Sequence, residues 1–137
     1  TAEDYYIDIM TANLVKPGTR EKFQVFVLPN LYGDIITDEA AQLQGGVGTA
    51  GSANMGDQYA MFEAVHGSGL RMMEEGRGDY ANPASILKAA ELMLRHIARN
   101  DAADRLLAAM DRCDVKITGR PDGATAAQYA DAIMALL

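Results

Sequence analysis

The chain has 137 residues, one domain's worth of sequence. Nearly half of them (49%) are apolar, enough for a packed core, and this excludes a disordered chain. Twelve basic against nineteen acidic side chains give a net charge of −7, which excludes a basic nucleic-acid footprint and a polybasic membrane patch. No apolar run approaches the roughly 20 residues of a membrane-spanning helix. The single cysteine, Cys113, cannot form an internal disulfide, and the expected compartment is a reducing cytoplasm. The chain opens at Thr1 without Met, directly into structured-looking sequence, and is expected to be part of something longer.

Residues 3–15 place Ile7, Met10 and Leu14 on one helical face, and Lys16-Pro17-Gly18 ends that helix. Phe23 to Leu28 is an almost continuous apolar run rich in aromatic and β-branched residues, the pattern of a strand buried on both faces. A helix is expected over 31–43, with Ile36, Ala40 and Leu43 on one side. Residues 45–57 read as a flexible glycine-rich loop, 60–65 as a second strand, and 66–78 as another loop punctuated by glycine. Asn82-Pro83 opens the clearest helix, Asn as N-cap and Pro at the first helical position. Its expected apolar stripe is Ile86, Ala90, Met93 and Ile97, with Leu87 and Leu94 beside it. Further helices are expected over 102–113 and 125–137. The eight Met residues read mostly as core packing. The class is α/β, and two strands are too few for a stable open sheet, so partner strands are expected elsewhere.

Three segments carry chemistry. In Asn30-Leu31-Tyr32-Gly33-Asp34-Ile35-Ile36-Thr37-Asp38, the two aspartates stand four apart, on one face of a helix. Two like charges there repel unless a cation sits between them, and carboxylates suit a hard ion such as Mg²⁺ or Mn²⁺. The same acids are also explained as decoration of a helix N-terminal region, where the dipole favours them. The loop Gly46-Val47-Gly48-Thr49-Ala50-Gly51 spells a dinucleotide fingerprint. That fingerprint needs a strand before it and a helix after it, and here a helix precedes, so the match is rejected. The third segment, Phe62 to Arg71, runs off a strand end, where α/β proteins place ligand sites. Backbone amides, His66, Ser68 and Arg71 suit a phosphate-bearing nucleotide, while a surface turn with a half-buried His explains the segment equally well. Asn82 already has a structural explanation as N-cap, and His96, in the last turn of its helix, is assigned no function.

Together these segments resemble the C-terminal part of the isocitrate and isopropylmalate dehydrogenase family. Four blocks in order carry the likeness: Ile7-Asp8 with Met10 and Leu14-Val15; Asn30 to Asp38; Gly45 to Gly56; and Phe62 to Ser68 followed by Ala81-Asn82-Pro83. The resemblance implies that residues 1–20 end the excursion into a dimerisation domain and that 21–137 belong to the large cofactor-binding domain. It implies that Asp34 and Asp38 bind the metal, with Thr37 in place of the usual Ser. Asp8 would reach the metal of the other subunit in a homodimer. Asp34 would also help remove the hydroxyl proton of a 2-hydroxy acid, isocitrate ahead of 3-isopropylmalate. Glu63, His66, Gly67, Ser68, Arg71 and Asn82 would hold the adenosine half of NADP or NAD. The family's usual Ala-Pro is replaced by Gly69-Leu70. The residue that discriminates cofactors falls on Arg71, a cation that favours the 2′-phosphate of NADP. The family's substrate-binding serine and arginines, and its catalytic tyrosine and lysine, belong to a region upstream that this sequence does not contain. The alternative is a non-catalytic regulatory subunit of such an enzyme.

Overall fold

The computed structural model describes residues 2–137 and divides by packing into two compact units, Thr1–Gly46 and Val47–Leu137. Among the described residues no helix is long and apolar enough to cross a membrane.

The first unit holds helices α1 (Ile7–Val15) and α2 (Asn30–Gln44). Met10, Leu14 and Ile36 form its buried core, with Ile7, Phe23 and Leu28 packed around them. Helix α1 starts four residues later than its periodicity suggested, because Tyr6 is extended (φ −66°, ψ 144°) and no side chain caps the start. The expected strand over 23–28 does not form. Phe23 and Leu28 reach the core, but Val25 and Val27 are 80% and 93% exposed, and among the described residues no strand lies beside them. Hydrophobic, β-branched sequence makes a strand only where a neighbour supplies the hydrogen-bond ladder.

The second unit is built around a hairpin of β1 (Gly51–Met55) and β2 (Ala60–Ala64), antiparallel, with Gly51 opposite Ala64 and Met55 opposite Ala60. Thus residues 51–55 of the expected loop 45–57 are strand. An isolated hairpin is marginal in water, and helix α4 (Ala84–His96) covers this one. The approach is close. A Cβ on Gly51 would lie 2.5 Å from the Ala89 nitrogen and 2.7 Å from the Lys88 carbonyl carbon, so only glycine fits.

Of the stripe foreseen on α4, Ala90, Leu87 and Leu94 pack against the core, and the close approach explains why the rest of it does not. Ser85, Ala89 and Glu91 are its buried residues, whereas Ile86, Met93 and Ile97 are exposed. The face that meets a strand backbone must be small, so bulk was a poor guide. Glu91 is tolerated because it accepts a hydrogen bond from Arg95, which also donates to Asp104 of helix α5 (Asn100–Arg112) at 2.8 Å. The main core lies between α5 and helix α6 (Ala126–Leu136) and comprises Leu106, Ala109, Met110, Tyr129 and Ile133. Thr125 caps α6 in a reciprocal capping box with Gln128.

The methionines are not mainly core. Met10 and Met110 are buried, but Met55, Met61, Met73, Met93 and Met134 are exposed. Helix α4 ends in a Schellman motif, with Arg99 N–H donating to the Leu94 carbonyl and Ala98 N–H to the Arg95 carbonyl. The left-handed position, φ 58°, is taken by Ala98 rather than glycine.

Candidate functional site

In the first unit, the sequence Asn30 to Asp38 is helical, so Asp34 and Asp38 do stand one turn apart on α2, and both are exposed. Asn30 Nδ2 donates to Asp34 Oδ2 at 3.3 Å. Thr37 turns its hydroxyl back onto the helix, donating to the Gly33 carbonyl at 2.7 Å, so its proton is engaged locally. Asp8 lies in the first turn of α1, where its Oδ1 accepts the Ile9 amide at 2.8 Å. Among the described residues no three His, Cys, Asp or Glu side chains converge on one point. The donor set on α2 is therefore a pair of exposed carboxylates. Their chemistry fits a hard divalent ion that completes its shell from other sources.

In the second unit, the chain leaving β2 borders a cleft of about 550 Å³, within the roughly 300–1,000 Å³ range of small-molecule sites. Four of the expected nucleotide residues line it: His66, Gly67, Ser68 and Asn82. Glu63 and Arg71 do not. Glu63 sits on β2, where it accepts a hydrogen bond from Asn54 Nδ2 at 2.8 Å. Arg71 is 88% exposed, with its Nε donating to Glu75 Oε1 at 2.7 Å.

The expected loop 66–78 contains a short helix, α3 (Leu70–Glu74). Leu-Arg-Met-Met-Glu is a run of good helix formers, supported by the Arg71–Glu75 pair at i, i+4. Gly69 precedes it in the left-handed region (φ 65°), a conformation that the alanine usual in the resembled family disfavours. The N-cap of α4 is Pro83 rather than Asn82, so the helix begins one residue later than expected, and Asn82 Oδ1 accepts the Ala84 amide at 2.9 Å from the position before the cap. That bond leaves the rest of its amide for the cleft. His66 Nδ1 lies 2.9 Å from the Gly67 carbonyl, which fixes the ring at the rim.

Sequence reasoning missed two further parts of the lining: Met72 and Met73 of α3, and the segment Ile117–Gly119. Met72 and Met73 lie on α3 within the expected loop 66–78, where their residue type alone does not mark them, and Ile117–Gly119 reach the cleft only through the path of the chain after α5. The apolar methionine and isoleucine surface gives an aromatic base something to lie against, and the glycine-rich rim presents backbone amides.

Comparison with known proteins decides the family. The isocitrate/isopropylmalate dehydrogenase profile matches residues 1–122. The chain belongs to the isocitrate/isopropylmalate dehydrogenase family. It is 55% identical over 102 residues to an NADP isocitrate dehydrogenase of Rickettsia bellii, an alignment covering 74% of this chain and 20% of that protein. It is 43% identical over 111 residues to a 3-isopropylmalate/3-methylmalate dehydrogenase of Methanocaldococcus jannaschii, covering 80% of this chain and 32% of that one. The crystal structure of isocitrate dehydrogenase from Methylococcus capsulatus superimposes with a TM-score of 0.82 at 34% identity, over 95% of this chain and 39% of the other. The α/β architecture is therefore part of the isocitrate dehydrogenase fold, and the chain spans a fifth to two-fifths of these relatives.

Proposed function

We propose that this chain supplies metal ligands and part of the dinucleotide site of an enzyme that oxidatively decarboxylates a 2-hydroxy acid, isocitrate in the first place. What supports the nucleotide half is one observation: residues 66–68 and Asn82, distant in sequence, share one cleft of suitable size. The substrate class follows the relatives, and the 43% identity to the Methanocaldococcus protein favours 3-isopropylmalate as the second reading.

Asp34 and Asp38 hold a divalent cation through their carboxylates, and Asp8 serves the equivalent site of a second copy in a homodimer. When bound, the ion supplies Lewis acidity toward the substrate's hydroxyl and carboxylate oxygens. Asp34 takes the hydroxyl proton. In the cleft, His66 and Ser68 hold the adenosine side of the cofactor with the backbone amides of the rim. Arg71 leaves Glu75 to meet the 2′-phosphate, an exchange of one charged partner for another that the exposed position makes inexpensive.

Initial rates with isocitrate in the intact protein test the proposal. We expect turnover that requires Mg²⁺ or Mn²⁺, with kcat/KM higher for NADP than for NAD. Preference for NAD removes the role given to Arg71, and absence of turnover with both isocitrate and 3-isopropylmalate overturns the substrate class.

A further inference from the structure

The two walls of the cleft come from separate stretches of chain. Arg77 and Gly119 are 42 positions apart, and the segment that carries Gly119 belongs to no helix or strand. Arg77 joins the two. Its Nη1 donates to the Gly119 carbonyl at 2.5 Å, its Nε donates to Glu75 Oε2 at 2.9 Å, and its Nη2 donates to the same carboxylate oxygen. The other oxygen of Glu75 receives Arg71.

Three features make this a fastening rather than a loose surface pair. Only 28% of the Arg77 side chain is exposed, so solvent screens its bonds less than those of Arg71 at 88%. The guanidinium is a rigid fork that can hold a carboxylate and a carbonyl at once, which a point-like ammonium cannot do with the same direction. Finally, the bonds land on the cleft's own wall. Gly119 and Gly78, the neighbour of Arg77 in the chain, both line it, whereas Arg77 does not.

We propose that Arg77 is a positioning residue that sets the width of the cleft by strapping Gly119 to the rim loop, with Glu75 holding its guanidinium in place. The inference rests on the reading of the cleft as a nucleotide site. It assigns Arg77 no contact with the cofactor; the residue acts through the backbone of 117–119. Loosening the strap lets that wall drift and weakens the grip on the adenosine, while the reacting groups are untouched.

Two measurements on the intact protein test this, using Arg77→Ala, Arg77→Lys and Glu75→Gln. The first is hydrogen–deuterium exchange over residues 115–122 without nucleotide, and the second is calorimetric titration with NADP. Arg77→Ala should exchange faster over that segment while protection in α4, α5 and α6 persists. Its Kd for NADP should rise about tenfold, as expected for losing a charge-assisted bond that orders a binding wall. The KM for NADP should rise with it while kcat stays within about twofold, a split that a general loss of structure does not give. Arg77→Lys should fall between the two proteins. Glu75→Gln, which keeps the guanidinium, should speed exchange over 115–122 by less, and its affinity is read with NAD, which has no 2′-phosphate for the freed Arg71 to meet. If exchange over 115–122 is unchanged in Arg77→Ala, the strap does not exist. If exchange rises and NADP affinity holds, the strap does not set the cleft. Should Arg77→Ala lose protection throughout, Glu75→Gln decides by the same criteria. Wild-type protein that binds neither NADP nor NAD overturns the nucleotide reading itself. That failure is separable, because the exchange measurement contains no nucleotide.

Discussion

The Ser85 hydroxyl accepts the Val65 amide at 3.0 Å. Its own proton goes to the Ala50 carbonyl, and the side chain is fully buried. One hydroxyl thus satisfies the backbone just outside both strands of the hairpin and anchors them to the first turn of α4. The chain passes from Val65 directly into the rim of the cleft, so this joint also places His66. Ser85→Ala removes the shared partner and leaves an amide and a carbonyl unpaired. We expect a loss of about 1–3 kcal/mol, read as a lower denaturation midpoint. An unchanged midpoint would show that water replaces the hydroxyl.

Ala98 offers the opposite sign. It holds a left-handed conformation (φ 58°) that costs an L-residue roughly 1–2 kcal/mol, part of which glycine returns through its greater freedom when unfolded. Ala98→Gly should therefore stabilise the protein by about 0.5–1 kcal/mol. A thermal melt checks it. Ala98→Val, with a β-branched side chain at the same angle, should lower Tm.

Glu75 predicts a dependence on acid. Arg71 first, and then Arg77, hold its carboxyl below the ordinary value of 4.5. A depressed folded value means that the pairing contributes fully above the unfolded value. The contribution fades as pH falls below about 4.5 and through the lowered folded value. A carbon-detected titration of the Glu75 carboxyl should give a midpoint below 4.5, and Arg71→Ala should move it upward. A midpoint that Arg71→Ala leaves unmoved would refute the pairing in solution.

For the metal, Asp38→Asn keeps the shape of the side chain and removes its charge. If Asp34 and Asp38 share an ion, the Mn²⁺ concentration needed for half-activation of the intact protein should rise at least about tenfold, since a hard cation depends on anionic oxygen. Activation at the same concentration would take Asp38 out of the site.

The sequence made the helices legible where periodicity and punctuation agreed. Helices α2, α5 and α6 fall within one or two residues of where they were read, because an amphipathic pattern and its caps are local properties. The Phe23 to Leu28 strand failed because strand formation depends on a partner that a local pattern cannot reveal. The inward face of α4 was legible at Leu87, Ala90 and Leu94 but not at Ser85 and Ala89, because close approach to Gly51 selects small residues and hydropathy rewards large ones.

The same division runs through the site. Sequence by itself determined that Asp34 and Asp38 share a helix face, that His66, Gly67 and Ser68 follow a strand end, and that the ordered motifs resemble one dehydrogenase family. Each is a matter of residue type and short spacing. Tertiary structure alone decided which of these residues meet. It drew Asn82 to the rim, joined Arg77 to the Gly119 carbonyl, and brought Ile117–Gly119 across to close the cleft. Those choices depend on long-range packing and on where a charged side chain finds its best partner, and neither is written in any short stretch of the chain.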